Sequence, residues 1–142
     1  MIVYCARPMS GFKVYEIQKY YEELRLCLPD IKLNIPFTYA EKALEGSIQP
    51  SGYEDPYLTN TAIVSRDKWL IRDSDLFLGH FSLTENLSAG MIAELVYAHT
   101  IGLHTVSVID RGNPHQHAFV LYESDVIVEE IAMAIKYIGM FK

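Results

Sequence analysis

The sequence predicts an α/β domain whose sheet is mostly parallel. Three observations carry that reading. Short apolar runs rich in strand formers punctuate the chain, among them MIVYCA (1–6), DLFLGHF (75–81) and HTVSVI (104–109). Between them lie stretches whose apolar residues recur at helical spacing. Half of the 142 residues are hydrophobic and no repeat, low-complexity tract or linker divides them, which suits a single domain over residues 1–142 with a real core.

Each element follows from local chemistry. After the first run, the turn at Arg7-Pro8-Met9 leads to Ser10, which is placed to cap a helix running to about Leu28. Pro29-Asp30 ends that helix, and IKLNIPF (31–37) alternates as a second strand. Residues 39–57, with EGSIQPSGYEDP, form a long loop, a length that is usually functional or disordered. A helix is expected from about Leu58 to Arg72, with Thr59 or Asn60 as its cap, then the strand at 75–81 and the polar loop SLTEN. SAGMIAELVYAH (88–99) reads as a helix that is apolar nearly all round, which suggests burial against both the sheet and a second surface, such as another subunit. HTVSVI is a strand, AFVLY (118–122) a weaker one, and Ser124 or Asp125 opens a last amphipathic helix to about Met140. The order β-α-β-α-β-α-β-(β)-α is that of a doubly wound, flavodoxin/Rossmann-like fold: five mostly parallel strands with helices on both faces. Ligands of such folds bind at the carboxyl ends of the strands. Arg7, residues 81–88 and residues 110–117 are expected on that edge.

Composition excludes several function classes. A net charge of −6 argues against nucleic acid as a partner. A small anion remains possible, because a helix N-terminus binds phosphate whatever the overall charge. No run of about 18 apolar residues occurs, so no membrane association is expected. The first residues lack the pattern of a signal peptide, and the expected location is cytoplasmic. Cys5 and Cys27 are too few for a disulfide framework or zinc cluster and are expected to be buried, inert thiols. His115 and His117, two apart, lack a third ligand at a familiar spacing, so no metal is implied. There is no glycine-rich dinucleotide fingerprint, Walker loop or G-x-S-x-G elbow, hence no cofactor expectation.

One residue stands out. At about 100° per residue, the neighbours on the face of Glu94 are Leu87, Gly90, Met91, Tyr97, Ala98 and Ile101, none able to pair with a charge. Either the acid reaches solvent or a basic partner past Gly90, or Gly90 opens a hollow in which it faces a ligand. A desolvated carboxylate of that kind serves as nucleophile or general base. Ser88 and Gly90 open the helix, so a hydroxyl and exposed amides can receive an anion, although a serine there also serves simply as a cap. Asp67 by itself reads as a surface acid, Asp75 as a cap or turn residue. Arg7 can face a phosphate or pair with an acid of the 39–57 loop.

These features resemble the nucleoside 2-deoxyribosyltransferase family. IVYCARPMSG is similar to its opening strand and turn, and RDKWLIRDSDLFLGHF to its helix–strand segment with two aspartates eight residues apart. SAGMIAELVYAHTIGLHTVSVI is similar to its most specific block: a small residue, x, Gly, three residues, Glu, then a helix and a strand. The match runs from residue 2 to about 122, loosely in 20–60. The resemblance implies that Glu94 is the nucleophile that attacks the anomeric carbon, that Asp67 assists the leaving base and orients the sugar, and that Tyr4 lines the site and hydrogen-bonds the glutamate. It implies a homo-oligomer, a dimer or larger, in which the loop after the 104–109 strand reaches a neighbour's site, bringing in Asn113, Gln116 or His117. Ser88 and Arg7 depart from the pattern. Transferases of free nucleosides often carry Asp where Ser88 stands, and the turn usually has a small residue where Arg7 stands. A carboxylate repels a 5'-phosphate, whereas a hydroxyl at a helix N-terminus accepts one. Serine there resembles the branch of 2'-deoxynucleoside 5'-phosphate N-hydrolases. The expected activity is N-glycosidic cleavage of a (deoxy)nucleoside 5'-monophosphate, with Ser88, Gly90, Arg7 and Ser10 around the substrate. The alternatives are base exchange between deoxynucleosides, a non-catalytic nucleotide-binding protein, and a structural module without a ligand.

Overall fold

The computed structural model describes residues 1–36 and 59–141. The elements are β1 (Ile2–Ala6), α1 (Val14–Cys27), β2 (Lys32–Asn34), α2 (Asn60–Arg72), β3 (Leu76–His80), α3 (Ala89–Thr100), β4 (His104–Val108), α4 (Ala118–Tyr122), β5 (Val126–Val128) and α5 (Ile131–Ile138). The five strands form one sheet in the order β2-β1-β3-β4-β5, every pair parallel. This is the doubly wound α/β architecture that the sequence predicts.

Strand alternation divides the core in two. Val3, Cys5, Leu76, Leu78, Val106 and Val108 point to one face, where α1 (Ile17, Tyr21, Leu24) and α5 (Ala134, Ile138) cover them. Tyr4, Ala6 and Phe77 point to the other, beneath α2 (Ile71), α3 (Met91, Leu95, Ala98) and Val120 of α4. The rings of Tyr4 and Phe77 stack across β1 and β3 at 5.7 Å. The register between these strands is pinned at their amino ends, where the Ile2 amide donates to the Asp75 carboxylate at 2.7 Å.

Several boundaries differ from expectation. Ser10 does not cap α1: Gly11 turns the chain at φ +86, and the helix starts after Lys13, whose amide the Glu16 carboxylate accepts at 2.8 Å. The second strand contracts to three residues, ending at Asn34, whose side chain donates to Ser74 Oγ and the Leu70 carbonyl. AFVLY is a helix and not a strand: only Val120 is buried, while Phe119, Leu121 and Tyr122 face outward, so a five-residue apolar run carried no decisive period. The fifth strand comes after it. Asp125 opens no helix but accepts from the Thr105 amide (2.8 Å) and hydroxyl (3.0 Å), which seats β5 beside β4 and delays α5 to Ile131. Cys27 is exposed on the last turn of α1, contrary to expectation; Cys5 is buried, and burial pushes its thiol up to about 12, which makes it inert. The second surface expected against α3 is in part the chain's own, since α2 and α4 flank it. The 39–57 loop and its tyrosines lie outside the described residues.

In the order 2-1-3-4-5, chain connections leave β1 and β3 in opposite directions. A crevice opens between the segments that follow their carboxyl ends, which is where doubly wound sheets hold ligands. Arg7–Ser10 follows β1, and Thr84–Ser88 lies between β3 and α3.

Candidate active site

A cavity of about 420 Å³ occupies that crevice, a volume suited to a small-molecule ligand. Its walls bring together residues far apart in sequence: Arg7 and Ser10 after β1, Asp67 on α2, and Ser88, Gly90 and Glu94 on α3. Six of the ten residues given a site role in the sequence therefore line one space.

The cavity has an acidic wall. Glu94 is partly buried on α3, and burial together with the charge of Asp67 raises its pKa from 4.5 to about 8. Asp67 is raised more modestly, by burial, because Arg66 beside it donates to its Oδ1 at 2.9 Å. Asp67 is thus not the surface acid that its neighbours suggest: α2 turns it toward Glu94. Tyr4 lies beneath this wall. Its hydroxyl is buried, faces the Glu94 carboxyl and has no partner in hydrogen-bonding geometry among the described residues. Burial, and then Glu94, hold Tyr4 itself neutral.

The other wall donates hydrogen bonds. Ser88 caps α3, its Oγ accepting from the Met91 amide at 3.5 Å. The Ala89 and Gly90 amides that follow have no acceptor among the described residues, and both residues line the cavity. A Cβ on Gly90 would meet no atom of the described residues within 4 Å. Arg7 is only 5% exposed. Its guanidinium lies 4.4 Å from the Phe12 ring centroid and 4.9 Å from that of Tyr20, and its Nε donates to the Pro8 carbonyl at 3.1 Å. No carboxylate of the described residues forms an ion pair with it, and burial lowers its pKa. A buried cation and two helix amides, none with a partner carboxylate or acceptor among the described residues, make this end complementary to an anion; an acid of the 39–57 loop, the other partner expected for Arg7, lies outside the described residues.

Two expected site residues stand elsewhere. Asn113 is buried within its own loop, donating to the Thr84 carbonyl and the Asp110 carboxylate. His117 is exposed and caps α4. Neither lines this chain's cavity. Among the described residues no three His, Cys, Asp or Glu side chains converge as metal ligands.

Three supporting groups escaped the sequence reading. Arg66 holds Asp67; its adjacency to that acid was the available signal. Tyr20, under Arg7, hydrogen-bonds Nδ1 of His80 at 3.0 Å, and burial pushes that imidazole down to about 4, so it stays neutral beside the cation. His115 reaches the start of α3. Nothing local in sequence marks these last two.

No protein-family model and no curated protein matches this sequence. Solved structures do. A conserved protein from Enterococcus faecalis aligns with a TM-score of 0.69 at 17% identity, covering 100% of this chain and 99% of that one. A 2-deoxyribosyltransferase from Bacillus psychrosaccharolyticus aligns at 0.67 and 15% identity, covering 96% and 92%. The Clostridium botulinum CMP N-glycosidase BcmB aligns at 0.61 and 13% identity, over 100% of both chains. This chain therefore shares its α/β fold, over nearly its whole length, with a deoxyribosyltransferase and an N-glycosidase, at identities that speak to fold and not to residue roles.

Proposed function

We propose that this protein cleaves the N-glycosidic bond of a (deoxy)nucleoside 5'-monophosphate and releases the free base. One observation carries the reading: a single cavity holds a carboxylate pair at one wall and an anion-complementary end at the other. The fold shared with a CMP N-glycosidase supports it.

In this mechanism the phosphate sits against Arg7, the Ser88 hydroxyl and the Ala89 and Gly90 amides, with Ser10 at the rim. That placement brings the anomeric carbon to Glu94. An ionised Glu94 oxygen bonds to that carbon as its bond to the base breaks through an oxocarbenium-like transition state. The bonding electron pair leaves with the base nitrogen, which takes a proton from Asp67 or from a water held by it. Water then attacks the same carbon and gives its proton back to Asp67 or to the water it holds, the glycosyl ester breaks, and Glu94 returns as a carboxylate with release of the sugar phosphate. The Tyr4 hydroxyl orients the nucleophile from beneath.

The deoxyribosyltransferase neighbour supports a second outcome at the same site, in which an incoming base replaces water. Chromatography of free base from CMP, dCMP and cytidine, with and without an acceptor base, separates the two. Release from the monophosphates without acceptor is expected. Tight nucleotide binding with no product after long incubation would assign the cavity to a non-catalytic nucleotide-binding protein instead.

A further inference from the structure

Helix α3 begins with its capping box half built. In a complete box the N-cap side chain takes the N3 amide, and a Glu or Gln at N3 takes the N-cap amide in return. The chain uses that second bond in α1, where Glu16 accepts from the Lys13 amide at 2.8 Å. In α3 the N3 residue is Met91, which offers no oxygen acceptor. The Ser88 amide donates instead to Nε2 of His115, 2.9 Å away and 27 residues on in sequence.

The imidazole is wholly buried and packs on the Phe81 ring at 5.0 Å. Its Nδ1 lies 2.8 Å from Oδ1 of Asn113. The Asn113 amide is itself oriented: its nitrogen donates to Thr84 O and Asp110 Oδ1, and its oxygen also accepts from the His115 backbone. Nδ1 therefore carries the hydrogen, and Nε2 keeps its lone pair for Ser88. Burial lowers the pKa of His115, in keeping with a neutral ring.

We infer that His115 is a positioning residue that completes the cap of α3 with an uncharged acceptor, so that the cap itself brings no carboxylate to the anion end of the cavity. A glutamate at position 91, which lines the cavity, would make the same hydrogen bond while repelling a phosphate. The imidazole holds the Ser88 backbone and leaves the serine hydroxyl hydrogen and the next two amides for the ligand. Asn113, buried outside the cavity, thereby acquires a role: it sets the tautomer. The inference rests on the phosphate reading of the preceding section.

Calorimetric titration of cytidine 5'-monophosphate and cytidine into the full chain tests it, with Glu94→Gln as parent to prevent turnover. A parent that binds cytidine as tightly as its monophosphate overturns the phosphate reading itself. If the parent prefers the monophosphate, His115→Leu is expected to weaken that ligand about tenfold and to leave cytidine within about twofold. His115→Gln, which keeps a neutral acceptor, is expected to bind both like the parent. His115→Glu, which keeps an acceptor but adds charge, is expected to weaken the monophosphate selectively and covers the case in which the leucine variant does not fold. A purely structural role would lower the melting temperature and change both ligands together. Equal loss for the two ligands, or a folded Leu or Glu variant that binds the monophosphate like its parent, overturns the role of His115.

Discussion

The proposed mechanism turns on one ionisation, that of Glu94. Its pKa rises from 4.5 to about 8 on folding, by burial first and the Asp67 charge second. The folded state thus holds a proton, between those values, that the unfolded chain has released, and stability falls as pH rises through that window. Thermal unfolding across about pH 5 to 8 is expected to show this decline, and Glu94→Gln is expected to flatten it and to melt higher than wild type at the alkaline end. In the proposed mechanism the ionised form is the nucleophile, so kcat/KM is expected to climb with pH through about 8. Glu94→Gln should lower kcat by about a thousandfold or more while retaining the ligand. Asp67→Asn removes the charge that raises Glu94. Its pH–rate profile is expected to rise at lower pH than wild type, with kcat reduced about a hundredfold or more because no carboxyl group is left to relay a proton to the leaving base.

At the scale of elements, two glycines make opposite demands. Gly79, inside β3, lies where a Cβ would come within 2.7 Å of the Phe81 ring and 3.0 Å of Phe77. Its missing side chain lets Phe81 fold back over the strand and support His115. Gly79→Ala is expected to cost about 1–3 kcal/mol in urea denaturation through overpacking. Gly90, at the second position of α3, faces the open cavity. Gly90→Ala is expected to leave stability equal or raise it by about 0.5–1 kcal/mol, since alanine favours the helix. The same change should raise KM several-fold by filling ligand space, so stability and affinity separate in one variant. The site aspartates show how far element patterns carry. The eight-residue spacing of Asp67 and Asp75 is plain in sequence, yet the pair is divided by function. The strand's amino end spends Asp75 on the β1–β3 register, while the helix presents Asp67 to the cavity.

For the whole molecule, the described helices include none long and apolar enough to cross a membrane. The net charge of −6 coexists with a local end complementary to anions, because a buried arginine and aligned helix amides act over short range. The outer side of α4 exposes Phe119, Leu121 and Tyr122, and α2 exposes Trp69. Apolar surface of this kind fits a second copy of the chain, the assembly that the sequence resemblance implies. Sedimentation velocity is expected to give a dimer or larger species, and a monomer at all concentrations would remove the neighbour's loop from any account of the site.

Strand and helix order as far as β4, parallel pairing and the identity of Glu94 as a misplaced acid were legible in the sequence, because periodicity and burial of apolar faces are local properties. Ser88 and Gly90 were legible too, being the chemistry of one helix end. Tertiary structure alone decided the rest. A five-residue run, 118–122, has too short a period to separate helix from strand, and the bonds of Asp125 to β4 settle where the fifth strand lies. The burial of Arg7 between Phe12 and Tyr20, the turning of Asp67 toward Glu94, and the reach of His115 to Ser88 depend on segments tens of residues apart meeting over the sheet. Pattern in a linear chain specifies which face is buried; only the packed sheet decides which distant groups share that burial.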